Sequence, residues 1–136
     1  MRDKIRRIRE VTDALRRRIP DRPEDVASDE DLRDLIAFRF YLGIQLAIDL
    51  ASHVIADEGW GPAPDLRAHF QILARRGVID AQVAQSLGAG VKIRNLVGHA
   101  YGALDPVKLH AAARVLPGLL ERYCAGVLAL AERSGV

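Results

Sequence analysis

Cysteine is almost missing from this chain. Cys124 is the only one in 136 residues, which excludes an intrachain disulfide and a thiolate metal cluster and suits a reducing, cytoplasmic setting. Aromatic residues make up 5% of the sequence, with only six prolines and eleven glycines, while Ala, Leu, Arg and Ile recur throughout. That balance disfavours a strand-rich fold and favours an all-α one. No long uninterrupted apolar run occurs: the chain is charged from Arg2, lacks a signal-peptide core, and breaks its longest hydrophobic stretch with Arg39, Gln45 and Asp49. The expectation is a soluble, unexported protein without a membrane span. His69 and His110 have neither the spacing nor the acidic neighbours of a metal site, so no metal and no cofactor are expected.

What is present fits one helical domain over residues 1–136, long enough to bury a sizeable core. The formal charge is +2, unevenly placed: residues 1–18 hold eight Arg or Lys against three acids, leaving the remainder acidic. Such a stripe attracts a polyanion such as RNA, or is simply a solvated helix face.

Hydrophobic spacing predicts a first helix from about Arg2 to Ile19, through Ile5, Ile8, Thr12, Leu15 and Ile19. Pro20 and Pro23 end it, and DRPEDVA reads as an acidic connector. Ser28 is the expected N-cap of a long helix running to Asp57 or Glu58, apolar enough to have more than one neighbour. Gly59, Gly61, Pro62 and Pro64 form a stiff connection around Trp60, expected to anchor the loop. A short helix follows from about Leu66 to Arg76, stopped by Gly77. Asp80 caps the next helix, in which Gly88 and Gly90 weaken the helix or admit a close neighbour. Asp105 and Pro106 then start a last helix that reaches about Arg133, with Pro117 as a kink and Tyr123 in its buried face. Four long helices and one short one, with brief links, describe an antiparallel up-and-down bundle.

One stretch, KIRNLVGHAYGALDP from Lys92 to Pro106, gathers Arg94, Asn95, His99 and Tyr101 within eight residues. On a continuous helix with Arg94 at zero, Tyr101 falls at roughly −20°, Asn95 at about 100° and His99 at about 140°, opposite an aliphatic half of Ile93, Leu96, Val97 and Ala100. Histidine moves a proton near neutrality, and arginine offers a fixed cationic fork for phosphate. Together they suit phosphodiester cleavage, in which the RNA 2′-hydroxyl attacks its own phosphate and leaves a 2′,3′-cyclic phosphate and a 5′-hydroxyl. An arginine five residues before a histidine is a weak pattern alone, and the 140° between them makes one phosphate hard to reach from one protomer. Asp49 and His53, one turn apart, read as a structural pair.

The string R-N-x-x-x-H-x-Y, followed by Leu104, Asp105 and a final helix, resembles the signature of the HEPN superfamily, most closely its HepT-like toxins. AIDLASHVIADEG, the proline-containing loop, the phenylalanine-bearing short helix and RRGVID extend the resemblance over nearly the whole chain from Ile5. It implies a HEPN-like bundle that forms a homodimer around a composite ribonuclease cleft, and a metal-independent toxin. Carried onto this sequence, Arg94 binds the scissile phosphate, His99 is general base or acid, and Asn95 supports them. Tyr101 is the implied acceptor of AMP from ATP, transferred by a minimal nucleotidyltransferase antitoxin of the MntA type. Anionic AMP beside Arg94 then competes with RNA. From a different class, the chain is a non-catalytic helical partner that binds nucleotide or substrate for a nucleotidyltransferase. A third reading is a structural bundle that contacts nucleic acid through Arg6, Arg7 and Arg9.

Overall fold

The computed structural model describes residues 1–134. Its helices are α1 (Arg2–Arg18), α2 (Pro23–Ser28), α3 (Glu30–Glu58), α4 (Leu66–Arg75), α5 (Ala81–His99) and α6 (Pro106–Arg133), with a 3₁₀ turn at Tyr101–Ala103. Among the described residues there is no strand. The fold is all-α, as expected from composition and periodicity.

Local chemistry explains most boundaries. Asp65, Asp80 and Asp105 each accept a hydrogen bond from a backbone N–H of the first helical turn, and Pro106 occupies the first position of α6. Gly59 closes α3 at φ 69°, a conformation that a Cβ disfavours. Two expectations fail near the start of α3. The connector folds into the short helix α2, begun by Pro23, and the cap of α3 is Asp29 instead of Ser28, which ends α2. Asp29 Oδ1 accepts from Leu32 N at 3.1 Å.

Side-chain contacts fix the helix directions. Arg39 donates to Ala14 O at 2.8 Å and Gly43 faces Val11, so α1 and α3 run antiparallel. Gly43 also meets Leu116 and Leu120, and Tyr123 donates to Ala47 O, so α6 runs parallel to α3. Gly90 lies against Ile44 and Gly98 against Tyr41, which makes α5 antiparallel to α3. The four long helices thus alternate up and down, with α3 in the middle.

Gly90 is the close approach: a Cβ there would sit 2.8 Å from Ile44 Cδ1. It lets α5 press onto α3. The core runs from Ile5, Ile8 and Leu15 through Phe40, Ile44 and Leu50 to Phe70, Leu87, Leu116 and Tyr123. Each large aliphatic group buried there contributes about 1.5–3 kcal/mol. By length and composition α3 could cross a membrane, but 56% of its most apolar window is buried inside the protein. Its apolarity is explained by α1, α5 and α6 packing around it. Trp60 holds its loop as expected, with the Arg76 guanidinium 5.3 Å above the ring. Pro117 is buried inside α6, which continues through it.

Candidate functional site

The open side of α3 carries a polar stripe, Asp34, Tyr41, Gln45 and Asp49, at spacings that keep one helical face outward. Phe38 stands in the same stripe and is 59% exposed. Beside it lies the last third of α5, which brings Arg94 against this stripe. Gln45 Oε1 accepts from Arg94 Nε at 3.2 Å and Nη2 at 2.5 Å, while Nη2 also donates weakly to the Tyr41 hydroxyl at 3.4 Å. Arg94 Nη1 donates to Asn95 Oδ1 at 2.8 Å. The guanidinium carbon sits 4.9 Å from the centre of the Tyr41 ring. Behind it, Gln45 Nε2 donates to Asp49 Oδ1 at 3.0 Å, which fixes the amide so that its oxygen faces Arg94.

Arg94 is half-buried and held by three residues, Gln45, Tyr41 and Asn95. Of the five N–H donors of a guanidinium, only one on Nη1 has no acceptor. A phosphate taking the two-pronged grip that arginine favours displaces the weak Tyr41 contact or part of the Gln45 contact. Gly98 leaves room for the Tyr41 ring. A Cβ at that position would lie 3.3 Å from Tyr41 Cε2, pressing on the ring that backs Arg94.

Lys92, Arg94, Asn95, Leu96 and His99 line a shallow cleft of about 430 Å³ with Leu66 of α4. His99 is exposed at the end of α5. The cleft joins Arg94, Asn95 and His99 as the sequence pattern suggests, and adds Lys92. Lys92, Asn95 and His99 recur at steps of three and four and share a face of α5, whereas Arg94 turns toward α3. Another hollow, about 680 Å³ and lined by Arg2, Arg6, Arg9 and Leu128 among others, contains no histidine.

Tyr101 does not continue the helical wheel. Helix α5 ends at His99, because Ala100 adopts φ −148° and ψ 53°, and Tyr101 opens a 3₁₀ turn that leads into the antiparallel α6. A turn is required there, since α6 starts only at Pro106 and runs back along the bundle. Tyr101 instead crosses to the first turns of α3, where its hydroxyl donates to Asp34 Oδ1. Partial burial raises the Tyr101 pKa, the Asp34 carboxylate raises it further, and the Arg33 guanidinium works in the opposite direction. Tyr101 and Arg94 are thus held by separate positions on α3.

The other three histidines make contacts away from this cleft. His53 pairs with Asp57 at 3.1 Å, and not with Asp49, which serves Gln45. His110 is buried and donates from Nε2 to Pro20 O at 2.7 Å. His69 donates from Nδ1 to the carbonyls of its own first helical turn. Among the described residues no group of three or more His, Cys, Asp or Glu is placed to hold a metal ion. Sequence reasoning missed Tyr41, Gln45, Lys92 and Asp34; Lys92 alone was findable, from its three- and four-residue steps to Asn95 and His99.

The model of the family "Ribonuclease HepT-like" matches residues 1–124. The chain belongs to the HepT-like family. Solved structures share its HEPN-like fold. One is a toxin-antitoxin with AMP-PNP, at 20% identity over 93% of this chain and 96% of that chain, with a TM-score of 0.86. A tri-AMPylated Shewanella oneidensis HEPN toxin in complex with MNT antitoxin matches at 20% identity over 93% and 95%, with a TM-score of 0.85. A tyrosine-to-alanine mutant of the toxin-antitoxin MntA-HpeT matches at 20% identity over 93% and 96%, with a TM-score of 0.84. A search of curated proteins returns no match. In this HepT-like chain the R-N-x-x-x-H segment occupies the exposed end of α5.

Proposed function

We propose that this protein is the toxin of a toxin–antitoxin pair, a metal-independent endoribonuclease of the cytoplasm that acts as a homodimer of one-domain chains. The observation that carries the reading is the cleft at the end of α5, where Arg94, Asn95 and His99 meet open solvent in a HepT-like bundle. In the proposed reaction Arg94 neutralises the scissile phosphate, whose attacked form carries extra negative charge. His99 takes the 2′-hydroxyl proton or returns one to the 5′-oxygen leaving group, and a second acid–base group completes the exchange. Asn95, which accepts from Arg94 Nη1, orients the guanidinium.

Dimerisation supplies what one chain lacks. Arg94 turns toward α3 while His99 faces outward, so a second copy that covers the exposed Phe38 of α3 and leaves Asp34 and Tyr101 open brings a further His99 to the same cleft. Burial of that phenylalanine favours the contact. The antitoxin is a nucleotidyltransferase of the MntA type, and Tyr101 receives AMP from ATP. The tri-AMPylated HEPN toxin with the same fold supports this regulation.

Purified protein without partner is expected to cut RNA in EDTA and to inhibit growth, with both properties lost in Arg94→Ala. An intact RNA after incubation with pure, dimeric protein overturns the ribonuclease reading and favours a non-catalytic partner of the nucleotidyltransferase.

A further inference from the structure

Asp34 has no role in the ribonuclease site, yet its carboxylate is hydrogen-bonded to the one hydroxyl proposed to accept AMP. The bond spans two segments: Asp34 stands in the second turn of α3, and Tyr101 begins the 3₁₀ turn after α5. Nothing in the fold's core requires it, because both residues are exposed, Tyr101 being 37% accessible. The groups acting on the phenol are Asp34 and Arg33, both from α3. His99 lies two residues before it in its own segment, and Asp105 four residues after.

A phenol is a poor nucleophile at neutral pH because almost none of it is ionised. A carboxylate that already accepts the phenol's hydrogen bond can take the proton as the new bond forms, so no free phenolate is needed. We propose that Asp34 is the general base for nucleotidyl transfer to Tyr101; this rests on the reading of Tyr101 as the AMP acceptor. The Tyr101 Oη–Pα bond forms, and the bond from Pα to the bridging oxygen of the nucleoside triphosphate breaks. Pyrophosphate leaves with that electron pair, and the phenol proton passes to Asp34 and then to water.

The arrangement also makes the step directional. Once the diester forms, the oxygen that donated to Asp34 has no proton left to give, and a phosphate anion stands beside a carboxylate. Asp34 therefore stops holding Tyr101, and Arg33 offers the new anion a nearby cation. Asp34 and Tyr41 lie seven residues apart on α3, about 10 Å along its axis, so a released, AMP-bearing side chain reaches the neighbourhood of Arg94.

The test follows AMP incorporation by intact mass when the full-length chain is incubated with its nucleotidyltransferase, magnesium and ATP. Wild type, Asp34→Asn, Asp34→Glu and Tyr101→Phe are compared between pH 6 and pH 9. Asp34→Asn is expected to label at least tenfold more slowly at neutral pH, with a rate that climbs steeply with pH as the phenol ionises unaided. Asp34→Glu is expected to recover part of the rate and the flatter profile of wild type. A merely structural Asp34 does not change the slope against pH. Equal labelling of wild type and Asp34→Asn, with parallel profiles, overturns the role of Asp34 alone. A wild-type chain that gains no AMP overturns the acceptor reading and the base together.

Discussion

Two tyrosines and two histidines divide this molecule into a half that is fixed and a half that can change partners. Tyr123 and His110 lie in the core and donate to backbone carbonyls, Ala47 O at 2.7 Å and Pro20 O at 2.7 Å. Tyr123 also meets Phe70 edge to face, with ring centres 5.8 Å apart. Tyr101 and His99 lie at the surface, and Tyr101 is held by an ionisable side chain from another helix. A buried side chain that loses its hydrogen-bond partner finds little water to replace it, so the first pair is committed to the fold. An exposed carboxylate or amide can exchange its partner for phosphate or water, so the second pair is free to do chemistry. Arg94 belongs with the second pair, because Gln45 and Tyr41 hold it on one edge of an open cleft.

The sharpest way to break this comparison is to remove one histidine from each half. His99→Ala is expected to lower RNA cleavage by about 10²–10⁴-fold while leaving the melting temperature as in wild type. His110→Ala is expected to do the reverse, retaining cleavage and losing about 1–3 kcal/mol of stability, because a buried side chain and its hydrogen bond to the Pro20 carbonyl are both lost. Parallel losses of activity and stability in both variants would erase the distinction, and thermal melts alongside cleavage assays decide it.

Gln45 comes next. It touches no part of the proposed substrate and acts through Arg94, so Gln45→Leu is expected to slow cleavage about tenfold, equivalent to about 1.4 kcal/mol, with little change in KM. Asp49→Asn is expected to have a smaller effect in the same direction, since it only loosens the amide behind Arg94. If Gln45→Leu binds RNA more weakly but turns over unchanged, the residue tunes affinity and not the geometry of the reaction.

Why the core was readable and the site only partly so follows from where the information lies. Ile5, Ile8 and Leu15 announce α1 by spacing alone, and Asp80 and Asp105 announce the starts of α5 and α6 by capping within three residues. Arg94, Asn95 and His99 stand close together in sequence, so the cleft they share was visible as a pattern. The partners that aim them were not. Gln45 reaches Arg94 across 49 residues and Asp34 reaches Tyr101 across 67, contacts that depend on α5 packing antiparallel to α3. Local reasoning also carried the helix two residues too far. A continuous wheel placed Tyr101 beside Arg94, whereas the break at Ala100 sends it to Asp34.

The smallest expected effect belongs to the fixed half. Burial pushes the Cys124 thiol from 9.0 up to about 11. The folded chain therefore keeps this thiol neutral where the unfolded chain ionises it. Its contribution to stability is full below about pH 9 and is lost as the pH rises through about 11. Cys124→Ala is expected to flatten that alkaline decline in urea midpoints, and thiol reagents at pH 8 are expected to label native protein far more slowly than unfolded protein. Rapid labelling of the native state would mean that α1 and α6 open readily.

The most direct test of the central claim is the chemistry of the cut ends. RNA incubated in EDTA with pure wild-type protein is predicted to yield 2′,3′-cyclic phosphate and 5′-hydroxyl termini, and Arg94→Ala and His99→Ala are predicted to yield none above background. Termini bearing a 5′-phosphate and a 3′-hydroxyl, or cleavage undiminished in both variants, would contradict the account.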